Sequence, residues 1–215
     1  MNTDFFDIIC DKEKIKKELV FYSLFLMMFE NFVAYWKETT RSYFSNGYAI
    51  DDITGEPIDF IKCIIDNGKE KYIKDKDAEK NYNKQVFPRV IRDGKYNPKL
   101  SMFKWLADNN IIDIDDFEIL DKCYSKRNEY AHNISYCLEH YVSREEKDLL
   151  LSLISISEKA ARNWIMEIEI PTSSEEELAA FIDENGNYNP PEDVISGIQI
   201  INSLVLSNLK DIFDE

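Results

Sequence analysis

The most constraining feature of this chain lies between residues 15 and 36. Ile15, Leu19, Tyr22, Leu26, Phe29, Val33 and Trp36 recur at alternating spacings of four and three, and Phe21, Phe25, Met28, Phe32 and Tyr35 form a second stripe beside them. Two adjacent apolar stripes at helical spacing predict a helix of roughly seven turns with an unusually wide apolar face. So wide a face requires cover on two sides. A central position in a helical bundle supplies it most directly, and a dimer interface is the alternative.

The remaining segments fit the same class. Residues 41–56 carry turn chemistry at Asn46-Gly47 and Thr54-Gly55, and a short helix is predicted from Pro57 to Asp66, stopped by Asn67-Gly68. A basic stretch follows, partly helical and broken at Pro88 and Gly94, then a helix from Pro98 to Asn109 and another starting near Asp115. Ser143 and Glu146 form a capping box for a long helix bearing Leu150, Leu153, Ile154, Ala161, Trp164 and Ile168, with Pro171 beyond it. Residues 171–215 add an acidic helix from Ser174 to Glu184 and a last helix entered through Pro190-Pro191, whose Val194, Ile198, Ile201, Val205 and Ile212 face a partner surface. No segment alternates as a strand does. The expected fold class is all-α, with a main helical domain over 1–170, a basic insert at about 62–104 and an acidic C-terminal helical appendage over 171–215.

Charge sharpens this picture. The net charge of -15 argues against a surface that binds nucleic acid nonspecifically. Yet residues 62–104 hold 12 Lys and Arg against 6 acids, whereas 171–215 hold one lysine against 10 acids. The basic segment interleaves Lys84, Arg89 and Arg92 with Tyr72, Tyr82, Phe87 and Tyr96, a composition that suits a single-stranded path of phosphate attraction and base stacking, or equally a solvated helix face. Cys10, Cys63, Cys123 and Cys137 are scattered without a CxxC pair or a second metal ligand nearby, so no metal or cofactor is expected. The run at 19–29 is too short to cross a bilayer, and the N-terminus lacks the pattern of a signal peptide. The expectation is a soluble cytoplasmic chain with no membrane partner.

Residues 124–136, YSKRNEYAHNISY, concentrate the candidate chemistry. On a helix, Phe117, Leu120 and Tyr124 set an apolar row that continues through Arg127, which therefore turns toward the core; a guanidinium there needs a carboxylate, carbonyl or phosphate. The adjoining row reads Tyr124, Asn128, His132, Tyr136 and, on a longer helix, His140. Arg127 and His132 are about 140° apart on an ideal helix, so a bend or a second subunit is needed to bring them together. Arg127 as a structural tie, with His132 as a surface histidine, is the alternative.

The hexapeptide RNEYAH, residues 127–132, resembles the signature of the HEPN domains, in which a polar residue follows an arginine and a histidine stands four to six positions beyond it. The resemblance covers about residues 12–168 and implies an antiparallel helical bundle of HEPN type, with the C-terminal helical segment as an addition. It further implies metal-independent cleavage of single-stranded RNA at a site shared by the two protomers of a homodimer, often in bacterial toxin, abortive-infection or antiphage roles. Arg127 would clamp the phosphorane, Asn128 would orient the imidazole or hold a phosphate oxygen, and His132 would shuttle the proton, with Tyr136, Tyr124, Lys84, Arg89 and Arg92 along the substrate. Its products would be a 2',3'-cyclic phosphate and a 5'-hydroxyl. A cognate antitoxin or regulatory protein fits the same setting, and a HEPN-like module that binds a nucleotide or protein without cutting is the runner-up.

Overall fold

In a computed structural model of the chain, residues 12–45, 50, 58, 60–133, 140–172, 182, 186 and 192–213 are described. Most of them are helical: α1 (Lys12–Phe44), α2 (Lys76–Gln85), α3 (Pro98–Asp108), α4 (Ile114–His132), α5 (Arg144–Trp164) and α6 (Glu192–Phe213). Two small antiparallel hairpins join them, β1 (Ile61–Asp66) with β2 (Lys69–Lys74), and β3 (Ile91–Arg92) with β4 (Lys95–Tyr96). The expected acidic helix at 174–184 lies outside the described residues, apart from Ile182.

The hairpins correct the all-α expectation, and β1 replaces most of the helix predicted from Pro57 to Asp66. Asn67 and Gly68 have φ of 52° and 77°, and Asp93 and Gly94 have 52° and 74°. Two successive left-handed residues are the signature of a type I′ turn, whose twist matches that of paired strands. Asn-Gly and Asp-Gly therefore close hairpins here rather than stop helices. β1 pairs with β2 from Ile61↔Lys74 to Asp66↔Lys69, with the β-branched Ile61, Ile64 and Ile65 supplying strand propensity.

The chain packs as two units, one of residues 1–30 with 107–215 and one of residues 31–106, and α1 contributes to both. In the first, Phe21, Phe25 and Phe29 of α1 are fully buried, as are Leu120 and Cys123 of α4 and Leu150, Leu153 and Ala160 of α5. Tyr130 meets Phe25 edge-on at 5.2 Å between ring centroids and Tyr22 at 4.6 Å. α6 closes on α5: Val205 is fully buried, and buried Asn202 donates to Glu158 Oε1 at 2.8 Å and Ser157 Oγ at 3.3 Å. A polar side chain can sit there because its donors are matched.

α5 begins at the capping box its sequence announces. Ser143 Oγ accepts from the Glu146 N–H at 3.2 Å, and Glu146 Oε2 accepts from the Ser143 N–H at 2.8 Å. Its far end is a π-helical turn, Ile165–Glu169, running into Ile170–Thr172. Pro171 explains the widening. It has no N–H to donate and its ring crowds the preceding turn, and the Thr172 hydroxyl donates to the carbonyls of Ile168 (2.7 Å) and Glu169 (3.1 Å).

The second unit is an aromatic cluster wrapped by short elements. Phe32 packs on Phe103 at 5.6 Å, Phe44 on Trp105 at 5.9 Å, and Phe60 on Tyr82 at 5.3 Å. Residues 15–44 of α1 are long and apolar enough to cross a membrane, which the run at 19–29 alone is not, although Phe21, Phe25, Phe29 and Trp36 within them are buried as in a core helix.

Candidate functional site

The arginine of the hexapeptide sits where the row pattern places it, part-buried on α4 with its side chain 25% exposed. Its partner comes from α1. Arg127 Nε donates to Glu30 Oε1, and Nη1 donates to Asn128 Oδ1 at 3.1 Å. Glu30 is the only charged residue between Leu19 and Trp36, and that isolation is the signal that identifies it as a partner for a buried-facing cation. The guanidinium has five N–H donors, and these two bonds leave its Nη2 side without a hydrogen bond among the described residues. Its Nη2 donors remain for a further oxygen acceptor.

His132 is the last residue of α4 and is exposed, and its imidazole makes no hydrogen bond among the described residues. The helix ends there, its last N–H bond running from Asn133 to the Glu129 carbonyl at 2.9 Å. The expected polar row therefore does not continue in helical register to His140, whose backbone carbonyl instead accepts from the Tyr22 hydroxyl at 3.4 Å. Tyr136 lies outside the described residues. Tyr124 is half-buried with its ring 6.4 Å from Phe29, so it packs on α1. Asn128 spends its carbonyl oxygen on Arg127, not on the imidazole.

Tyr130, inside the same hexapeptide, has a different task. It is buried, and its hydroxyl donates to Glu146 Oε1 at 2.7 Å, while the Lys126 ammonium lies 3.4 Å from the same oxygen. Burial pushes the Glu146 carboxyl up, but hydrogen bonds from the Ser143 N–H, the Tyr130 hydroxyl and the Ser143 hydroxyl, with the Lys126 charge, outweigh it and hold the group below its ordinary range. One carboxylate thus caps α5 and fixes the middle of the hexapeptide. Nearby Glu18 shows the opposite balance. Burial raises it more than the Val142 N–H (2.8 Å) and Lys147 lower it, and Glu146 raises it further.

The other expected substrate residues belong to the second unit. Lys84 is exposed in the last turn of α2, Arg89 Nε donates to the Gln85 carbonyl, and Arg92 is half-buried in β3. Lys71 and Lys74 pair with Asp66 (3.9 Å) and Glu79 (2.9 Å), contacts worth little at an exposed surface.

No family model, curated protein or solved structure matches this chain.

Proposed function

We propose that this chain is a metal-independent endoribonuclease acting on single-stranded RNA at a composite site in a homodimer of HEPN type. What supports the reading is the half-committed guanidinium of Arg127, held by Glu30 and Asn128 with no hydrogen bond on Nη2 among the described residues, on the helix that ends in an exposed His132. RNA carries its own nucleophile, the ribose 2'-hydroxyl, so the protein need supply only a proton shuttle and a charge clamp. The imidazole takes the first role and the guanidinium the second, each protomer lending its pair because one helix separates them by about 140°. A bacterial toxin or antiphage role, with a cognate antitoxin or regulator, follows from the resemblance of RNEYAH to HEPN signatures.

A second reading has its own observation. The Glu30 carboxylate already answers the charge of Arg127, as it would in a purely structural tie or a HEPN-like module that binds without cutting.

One experiment separates them: the full chain is incubated with single-stranded RNA and DNA in EDTA, as wild type, Arg127→Ala and His132→Ala. The expected result is RNA cleavage to cyclic-phosphate ends, intact DNA, and a loss of about 10²-fold or more in each variant. Cleavage only with added magnesium, or undiminished in both variants, would refute the mechanism. Intact RNA with a destabilised Arg127→Ala would establish the tie.

A further inference from the structure

In the first unit α1 is apolar on both sides. Phe21, Phe25 and Phe29 fill the core, yet the opposite face is an open groove lined by Leu19, Val20, Ser23, Leu24 and Met27, with Leu19 38% and Met27 43% exposed. No charged residue occurs from Leu19 to Phe29, so this outward face stays apolar along its length. The charges stand at its ends. Lys16, exposed, and Glu30, its side chain 42% exposed, lie seven positions to either side of Ser23 and about 20° from it around the helix. Leu19 and Met27 lie four positions to either side, about 40° round in opposite directions. Turned end for end, the face offers acid to base, Met27 to Leu19 and Ser23 to itself.

Such a face fits its own copy. We propose that α1 packs antiparallel on the partner's α1 across a twofold axis at Ser23. Lys16 then meets the partner's Glu30, Leu19 meets the partner's Met27, and the small Ser23 sits at the crossing, where it lets the helix axes approach to about 8 Å. A membrane surface would offer nothing to the acid at one end. That a homodimer forms rests on the function proposed above, and the face of α1 locates its seam. The same seam answers the gap between Arg127 and His132. α4 runs against α1, Tyr130 meeting Tyr22 and Phe25 while Tyr124 meets Phe29, so Arg127 stands level with about Leu26 and His132 with about Tyr22. A twofold at Ser23 carries the level of Tyr22 to that of Leu24, which brings the partner's His132 within about 3 Å of the height of Arg127, against about 7.5 Å inside one chain. Tyr22, Phe25 and Phe29 all lie about 100–160° round from Ser23 in the same direction, and a twofold perpendicular to the helix pair keeps both copies of α4 on one side of it. The seam thus floors a groove flanked by both hexapeptides.

Sedimentation velocity of the full chain across a concentration series should show a dimer. Leu19→Glu and Met27→Glu, each counted twice in a symmetric seam, are expected to weaken it by at least about tenfold, and Lys16→Gln by roughly two- to tenfold at low salt. Ile200→Glu, at a residue 60% exposed on α6, should match wild type, and circular dichroism checks that each variant folds. Disulfide capture reads the register. Ser23→Cys should link to its own copy. Leu19→Cys should link to Met27→Cys in a mixture but not to itself, because its own copies stand about 12 Å apart along the helices, beyond the ~7 Å between Cα atoms that a disulfide spans. The unsubstituted chain sets the background from its native cysteines, and peptide mass spectrometry identifies each linked pair. A monomer at every concentration, a dimer indifferent to Leu19→Glu and Met27→Glu, self-linking of Leu19→Cys, or a monomer that sediments with phosphatidylcholine–phosphatidylserine vesicles would overturn the seam. RNA cleavage by a dimer indifferent to these substitutions would sink the seam and leave the proposed reaction standing; this seam in a chain that leaves RNA intact would sink the reaction alone.

Discussion

Replacing Tyr130 with phenylalanine isolates one hydroxyl at the centre of the hexapeptide. The ring contacts with Tyr22 and Phe25 survive, and what disappears is the 2.7 Å bond to the buried Glu146 carboxylate. A hydrogen bond to a charged acceptor contributes about 1.5–3 kcal/mol, so the variant should lose that much at pH 7. For a chain of this length the loss corresponds to a fall in Tm of about 3–12 °C. Glu146 is held below its ordinary range, so its contribution is fully present above the unfolded value and is lost as pH falls through the folded one. In acid, at a pH below the folded value, the acceptor is a neutral acid, and the difference between the proteins should narrow to about 1 kcal/mol. Urea unfolding followed by tryptophan fluorescence at both pH values measures it, and the substitution should be nearly silent in a Glu146→Gln background. Equal midpoints at pH 7, or a deficit undiminished in acid, would refute the assignment.

Two further substitutions probe the fold. Glu18 has a raised carboxyl, so its folded state is favoured below the unfolded value and loses ground as pH rises through the folded one; Glu18→Gln, which keeps an acceptor for the Val142 N–H, should raise Tm at pH 7 and leave it unchanged near pH 3. Gly68→Ala meets no atom within 4 Å, so its expected cost of about 1 kcal/mol comes from the left-handed backbone alone, and it should appear as faster amide exchange in β1 and β2.

The helices were legible because their signals are local. The 143–146 capping box and the 4-3 spacing of α1 involve neighbours within a turn, and both appear where expected. The hairpins were not, because a left-handed Asn-Gly serves both to end a helix and to close a type I′ turn, and only the register of the following strand decides. The site divides the same way. The inward turn of Arg127 follows from its row, but Glu30 is 97 residues away, and its role shows in sequence only as a lone charge in an apolar stretch. Tyr130 reads as one more polar position of a motif until Glu146 is seen to anchor it.

The wide turn near the end of α5 works as a phase slip. Ile165 and Ile170 are five positions apart, which an ideal helix would point about 140° away from each other, yet both remain sheltered from water. The single wide turn absorbs one surplus residue, so the apolar seam runs on to Ile170, just before the proline. Trimming a residue from 166–169 would bring Ile170 to four positions from Ile165, about 40° round a regular helix, so ordinary winding would then hold it in the seam without the wide turn.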